Sequence, residues 1–173
     1  VQRLFDLTTD KWGRIHAMVN SAGHAPRAPI LEISDEDWHK GMKVYFLSAI
    51  RATRLAFPIM VAQGGGAIVN ISTALVTQPS AMFPTSAAFR ASLVTFTKIL
   101  ADDCAANGIR INSALPGWID GLLVTEDYRA SVPMGRFGTA AEIAATVAFP
   151  LSEGAGNITG QSLRVDGGLI SSV

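Results

Sequence analysis

The sequence has one cysteine, Cys104, among its 173 residues. A single cysteine excludes a disulfide within the chain and fits a reducing compartment, so the cytoplasm is the expected location. Neither sign of charge predominates, since 14 basic residues balance 14 acidic ones. A balanced chain is not drawn electrostatically to nucleic acid or to an anionic membrane, and partners of neither kind are expected.

Long apolar runs and metal-ligand clusters are not apparent either. No stretch is expected to span a bilayer, and the first fourteen residues are interrupted by too many polar residues for a signal peptide. His16, His39 and Cys104 do not have the spacing of metal ligands. The G-x-S-x-G elbow of a hydrolase is absent. These absences exclude no fold, but they predict a protein without a metal site.

The composition is that of a globular protein, and the order of the predicted elements is that of an α/β fold. Hydrophobic residues make up 49% of the chain and charged residues 16%, which predicts one domain over residues 1–173. Short apolar runs predict four strands, at 15–21, 67–71, 109–115 and 161–165. Helical spacing predicts helices at 1–12, 34–63, 85–107 and 139–150, with one turn at 126–130 and a kink or an end at Pro58. The alternation predicts a parallel sheet with right-handed crossovers.

The segment 66–90 is central to the predicted site, because it is expected to contain a buried strand, a loop and the start of a helix. Asn70 and Thr73 bring polar groups to the C-terminal end of the strand, the end at which open parallel sheets bind ligands. Thr85 or Ser86 is expected to cap the following helix with its hydroxyl. Hydroxyl groups from the strand end and from the helix start are therefore predicted to meet in one crevice.

This segment resembles the catalytic segment of the short-chain dehydrogenase/reductase family. In that family a strand ends in N-[IV]-S-S, a Tyr follows thirteen residues after the second Ser, and a Lys follows four residues later. Here the strand ends in Asn70-Ile71-Ser72-Thr73, and the same spacing leads to Ser86 and Arg90. The frame matches, but Thr replaces Ser, Ser replaces Tyr and Arg replaces Lys. Tyr45 stands where the family has an Asn on the preceding helix.

Further motifs follow in the family's order over essentially the whole chain. They are Asn20-Ser21-Ala22-Gly23, Trp38, Asn112 with Pro116-Gly117, Pro133 to Gly138 with Glu142-Ile143-Ala144, and Ile158 to Gln161 with Val165 to Gly168. The resemblance implies a Rossmann-like doubly wound parallel sheet, here with about four of the family's usual seven strands.

The resemblance also implies NAD(P)-dependent oxidation or reduction of an alcohol/carbonyl pair in a small-molecule substrate. It places Thr73 at the carbonyl-orienting position, Ser86 at the proton-donor position and Arg90 at the position that holds the ribose, and Tyr45 is a hypothetical replacement for the missing phenol. The positions that match the family's cofactor-binding segments are Asn20, Ala22, Gly23, Arg90, Pro116, Gly117 and Ile119.

Each of these residues also has a structural interpretation. Thr73 could satisfy loop backbone groups, Ser86 could be a helix cap, Arg90 could be structural or solvated, and Tyr45 lies on an apolar stripe typical of core. The remaining positions shape the backbone, which is also a folding role.

The family begins with a T-G-x-x-x-G-x-G turn, whose backbone N–H groups hold the pyrophosphate of the cofactor. The 173 residues contain no such turn. By family comparison the domain lacks its N-terminal βα units, which leaves the strand at 15–21 with an unpaired edge. The alternative function is therefore a non-catalytic or truncated member with a structural, oligomerising role. A third possibility is an enzyme that uses Arg90 and another acid on a different substrate.

Two helices carry a second apolar or small-residue face. The helix at 34–63 has two apolar stripes, and the helix at 85–107 has a face of small residues. Relatives pair through the corresponding helices, so a homodimer or homotetramer is expected. The choice between NAD and NADP stays open, as does the substrate.

Overall fold

A computed structural model describes residues 1–21, 23–121 and 125–172 and contains one parallel sheet of four strands. The strands are β1 (Ala17–Asn20), β2 (Gly66–Ile71), β3 (Ile109–Pro116) and β4 (Ser162–Val165), and they lie in the order β1-β2-β3-β4. All neighbouring pairs are parallel. The predicted α/β class is confirmed, and every predicted strand forms with its ends shifted by at most two residues.

Six α-helices connect the strands in the described part of the chain. They are α1 (Gln2–Trp12), α2 (Asp35–Met42), α3 (Ser48–Ala62), α4 (Pro84–Cys104), α5 (Glu126–Ala130) and α6 (Ala140–Leu151). A π-helical turn at Lys43–Leu47 joins α2 to α3, so the predicted helix at 34–63 is one helical rod with a wider turn inside it. Pro58 lies within α3, and the helix continues past it to Ala62.

The rod Asp35–Ala62 is long and apolar enough to cross a membrane by length and composition alone. The expectation that no stretch passes this test is wrong. A core helix of a globular protein also passes it, and here Ala52, Ala56 and Met60 are buried in the core beside the sheet. The length and composition of this rod are therefore weak evidence for a membrane span.

The start of α4 differs from the prediction. The helix begins at Pro84, and Phe83 precedes it without a side-chain cap, so neither Thr85 nor Ser86 is the cap. Proline suits the first helical position, because its fixed φ is helical and its missing N–H would be unpaired there anyway. The Thr85 hydroxyl lies 3.5 Å from the carbonyl oxygen of Pro26 instead.

Both faces of the central strands are covered. Ile68 of β2 packs into a cluster with Met60 of α3 and Cys104 of α4. Its neighbour Val69 points to the opposite face and packs with Val147 of α6. Two-sided burial is the rule for parallel sheets, and it explains why the central strands are read as continuous apolar runs. β1 is different, since it pairs only with β2 among the described residues and Val19 is 45% exposed.

Candidate active site

A buried polar network joins the carboxyl ends of β1, β2 and β3. The amide of Asn20 donates to the side-chain oxygen of Asn70 at 2.8 Å, and the amide of Asn70 donates to the hydroxyl of Thr97 on α4 at 2.9 Å. The hydroxyl of Ser113 donates to the same Thr97 oxygen at 3.1 Å. Asn70, Thr97 and Ser113 are essentially inaccessible to solvent. Buried polar groups that are fully paired rigidify their surroundings, so the network fixes three strand ends against one helix.

Arg90 ties α4 to the end of β2. Its Nη1 donates to the carbonyl oxygens of Ile71 at 2.6 Å and Ser72 at 3.0 Å, and the Ser72 hydroxyl donates to the carbonyl oxygen of Arg90 at 3.1 Å. Burial lowers the pKa of the Arg90 guanidinium, and the neighbouring Tyr45 acts in the opposite direction. The residue at the family's lysine position therefore stabilises the strand end on which Thr73 stands.

Tyr45 lies on the π-helical turn, directly beneath Arg90. The guanidinium carbon of Arg90 is 4.8 Å from the centroid of the Tyr45 ring. The Tyr45 hydroxyl oxygen accepts the backbone N–H of Ala25 at 2.9 Å, and the side chain is only 6% exposed. A π-turn often marks a functional position in a helix. Tyr45 is therefore a buried residue packed under Arg90, and its role as an acid stays a prediction.

Thr73 and Ser86 lie on the two segments that flank this contact. Thr73 lies two residues after the end of β2, is half-buried, and accepts the backbone N–H of Leu75 with its hydroxyl oxygen at 3.3 Å. Ser86 is the third residue of α4 and is also half-buried. Thr73 thus satisfies a loop backbone group, which leaves its predicted contact with a carbonyl as a prediction.

Six of the seven positions matched to cofactor binding lie at the carboxyl end of the sheet. The seventh, Ala22, lies outside the described residues. Gly23 is exposed, and a side chain there would meet no atom within 4 Å. At Gly117 a side chain would come within 2.8 Å of Asp166, so this glycine, next to Pro116, is required by packing alone. Ile119 forms a parallel bridge with Gly138 and holds the following loop in place.

An aromatic cluster that the sequence did not predict lies beyond the end of β3. It consists of Phe83, Trp118 and Tyr128. Trp118 and Tyr128 stack with their centroids 4.6 Å apart, and Phe83 lies 5.9 Å from Trp118. The guanidinium of Arg27 lies 4.4 Å from the Phe83 centroid. Four separate segments of the chain meet here, and sequence spacing cannot reveal such a meeting.

The described residues contain no group of three or more His, Cys, Asp or Glu side chains that could hold a metal ion. Cys104 is fully buried, donates weakly to the carbonyl oxygen of Ile109, and has its pKa raised by burial. It belongs to the core and not to the crevice.

Comparison with known proteins identifies the family. The family model described as enoyl-(acyl carrier protein) reductase matches residues 1–170. A crystal structure of a putative short-chain dehydrogenase/reductase from Burkholderia xenovorans superposes with a TM-score of 0.93 over 99% of this chain and 70% of that one, at 26% identity. The chain belongs to the short-chain dehydrogenase/reductase family. The resemblance inferred from the motifs is confirmed.

Curated relatives are named for reductase activity. The 3-oxoacyl-[acyl-carrier-protein] reductases FabG of Thermotoga maritima and Escherichia coli are 29% and 31% identical, each over 98% of this chain and 72% of the relative. The uncharacterized oxidoreductase YohF of E. coli is 37% identical over 91% of this chain and 66% of its own length. The family assignment makes the protein a relative of oxidoreductases and implies a nicotinamide dinucleotide.

The nicotinamide half of such a cofactor would lie at the carboxyl ends of the strands. The open backbone at Gly23, the end of β3 at Pro116 and the polar strand ends suit a nicotinamide and its ribose. Beyond the edge of β1 lies a cavity of about 430 Å³, lined largely by apolar residues such as Leu4, Phe5 and Val19 and by no lysine or arginine among the described residues. Without a cation or a glycine-rich turn, these 173 residues do not fit the pyrophosphate.

Proposed function

We propose that the protein is an NAD(P)-dependent oxidoreductase that interconverts a small-molecule alcohol and its carbonyl compound at an atypical site. The observation that carries this proposal is the arrangement at the carboxyl end of the sheet, where Arg90 holds the end of β2 next to Thr73 and packs over the ring of Tyr45. In an open parallel sheet this is the ligand-binding end. The names of the FabG relatives favour a 3-oxoacyl compound as the first substrate to test.

Each residue of the candidate site would have one role in the reaction. A nicotinamide dinucleotide, when bound, would supply or accept the hydride. The Thr73 oxygen accepts the Leu75 N–H, so its own O–H would be left to donate to the carbonyl oxygen of the substrate. Arg90 would hold the end of β2 at a fixed distance from α4, so that Thr73 stays aligned, and the Asn20–Asn70 pair would do the same for the neighbouring strand.

A second candidate is a non-catalytic member of the family. Two observations favour it. The family's phenol position is Ser86, whose hydroxyl is a far weaker acid than a phenol. Nη1 of Arg90 is already bonded to two backbone carbonyls, which occupies donors that the family directs to a ribose. In this case the crevice keeps its shape without turnover.

Cofactor titration separates the two candidates. We expect NADH or NADPH to give a saturable change in fluorescence when the purified protein is added. Binding of either cofactor, with no response to the unrelated nucleotide ATP at the same concentration, supports the oxidoreductase. No change up to millimolar NADH and NADPH supports the non-catalytic member.

We also propose a cytoplasmic homo-oligomer that assembles through the helices at 34–63 and 85–107. One face of α4 is left exposed at helical spacing, at Ala88, Ser92, Thr95 and Ile99, and Ile99 is 64% exposed. Small residues let two helices approach closely, and a large exposed apolar side chain suits an interface. We expect light scattering at micromolar concentration to give twice or four times the chain mass, and Ile99→Asp to reduce it. A wild-type monomer would contradict this.

A further inference from the structure

Two of the five methionines lie at the surface. Met82 is 47% exposed and Met134 is 61% exposed. The other three are half-buried or fully buried, namely Met18, Met42 and Met60. Peroxides oxidise the methionine thioether to a sulfoxide, and the oxidant must reach the sulfur to do so. Oxidation is therefore expected at Met82 and Met134 before the other three.

The two exposed sulfur atoms have different surroundings. The hydroxyl of Tyr128 on α5 donates to the sulfur of Met82 at 2.8 Å, and stacking on Trp118 fixes the ring that carries this hydroxyl. Met82 is itself held in a tight turn, because its backbone N–H donates to the hydroxyl oxygen of Ser80 at 3.3 Å. In the described part of the chain, no O–H or N–H group bonds to the sulfur of Met134. Of the two sulfur atoms, Met82 alone has a hydroxyl within bonding distance.

This hydroxyl is placed to bind the product of oxidation more strongly than the thioether. A thioether sulfur is a weak hydrogen-bond acceptor, whereas a sulfoxide is polar and bears negative charge on its oxygen. That charge builds up while the S–O bond forms. A neighbouring O–H group therefore stabilises the transition state of oxidation more than it stabilises the starting thioether, which speeds the reaction. The Tyr128 O–H has only to turn from the sulfur to the new oxygen.

We propose that Met82 is a peroxide-sensitive modification site, at which Tyr128 promotes oxidation and then binds the sulfoxide. Hydrogen peroxide is the oxidant. A lone pair of the Met82 sulfur forms a bond to one peroxide oxygen, and the O–O bond breaks. Water carries the proton of the transferred oxygen to the departing hydroxide, so the products are methionine sulfoxide and water. Sulfur loses two electrons and the peroxide gains two. This site does not depend on the proposed oxidoreductase function.

Oxidation changes how α5 is held. In the reduced protein, an O–H···S bond joins Tyr128 of α5 to Met82 in the loop that enters α4. The sulfoxide replaces it with a stronger O–H···O bond, which fastens the five residues of α5 to this loop. Methionine sulfoxide reductases restore the thioether. The contact is therefore a reversible one that responds to peroxide.

The first test measures where peroxide adds oxygen. The protein is treated with hydrogen peroxide for increasing times, and peptide mass spectrometry gives the oxidation rates of Met82 and Met134 separately. Tyr128→Phe keeps the ring that stacks on Trp118 and removes the hydroxyl. We expect the ratio of the Met82 rate to the Met134 rate to fall roughly fivefold in this variant, as for the loss of one net hydrogen bond. A ratio that stays the same or rises would overturn the proposal.

The second test measures the hold on α5. Arg129 is exposed in α5 and offers trypsin a cleavage site, and Lys11 in α1 offers an internal reference. We expect peroxide to slow cleavage after Arg129 relative to Lys11 in the wild-type protein. Met82→Leu is close in volume and has no sulfur to oxidise, so its cleavage should not respond to peroxide. Unchanged or faster cleavage of the oxidised wild type, or equal slowing in Met82→Leu, would show that the Met82 sulfoxide does not hold α5.

Discussion

The guanidinium of Arg90 lies 4.8 Å from the centre of the Tyr45 ring, and the two side chains come from different helical segments. Both differ from the residues that the family carries at these positions. Arginine offers a flat face to the ring and several N–H groups to the backbone, which a lysine ammonium cannot do together. The two substitutions therefore fit one another, and they link the end of β2 to the π-turn.

The first prediction concerns this contact. Arg90→Lys loses at least one hydrogen bond to the carbonyls of Ile71 and Ser72, together with the contact with Tyr45. We expect the free energy of unfolding to fall by about 2 kcal/mol, which lowers the melting temperature by roughly 4–8 °C for a domain of this size. Thermal unfolding followed by circular dichroism measures it.

Arg54→Lys is the matched control, because Arg54 lies on the exposed side of α3. We expect no more than a small change in its melting temperature. Equal effects of the two substitutions would show that Arg90 does not stabilise the end of β2.

The second prediction concerns the buried polar network. Thr97→Val keeps the shape of the side chain and removes the oxygen that accepts from Asn70 and Ser113. Two buried donors are left without a partner, which we expect to cost about 2–4 kcal/mol of unfolding free energy. Chemical denaturation should show a lower midpoint with an unchanged slope.

Thr95→Val serves as the control in the same helix. Thr95 is exposed, and its hydroxyl donates only to the carbonyl oxygen of Ala91, one turn earlier. Its effect should be less than half that of Thr97→Val. A similar loss of stability in both variants would mean that the network contributes nothing beyond a local hydroxyl.

The third prediction concerns pH. Bonds from Arg136, and from the backbone and side chain of Thr139, lower the pKa of Glu142 from 4.5 to about 2. Since the folded pKa is the lower one, the ionised carboxylate stabilises the fold at neutral pH. That contribution is lost as the pH falls from 4.5 to about 2. We expect Glu142→Gln to melt at a lower temperature than wild type at pH 7, with the difference disappearing toward pH 2.

Glutamine can still complete the capping box with Thr139, so the substitution removes mainly the charge. Glu32→Gln, in an exposed loop, is the control for the loss of one negative charge. A difference in melting temperature for Glu142→Gln that does not depend on pH would contradict the role assigned to the carboxylate.

Much of the fold could be predicted from the sequence, because each element depends on its own residues. The apolar run of β2 and the capping pattern at Thr139 are local signals, and both elements form where they were predicted. The start of α4 is harder to predict, because Thr85 and Ser86 offer hydroxyl groups that suit a cap, whereas the helix begins at Pro84. The π-turn at Lys43–Leu47 was missed, because its apolar spacing hardly differs from that of an α-helix.

The candidate site was less predictable for a physical reason. The sequence placed Thr73, Arg90 and Tyr45 near one crevice through the family frame. It could not show that Arg90 bonds to the carbonyls of Ile71 and Ser72, because side-chain direction depends on packing between distant segments. The same holds for the stacking of Trp118 on Tyr128, which joins the loop after β3 to α5.

Turnover of a carbonyl compound tests the oxidoreductase function most directly. The measurement is reduction of a 3-oxoacyl thioester by the purified protein with NADH or NADPH, with both the oxidised cofactor and the 3-hydroxyacyl product quantified. We predict one product molecule for each cofactor molecule oxidised. No product above the level without protein, together with no cofactor binding at millimolar concentration, would contradict the oxidoreductase function and favour the non-catalytic member of the family.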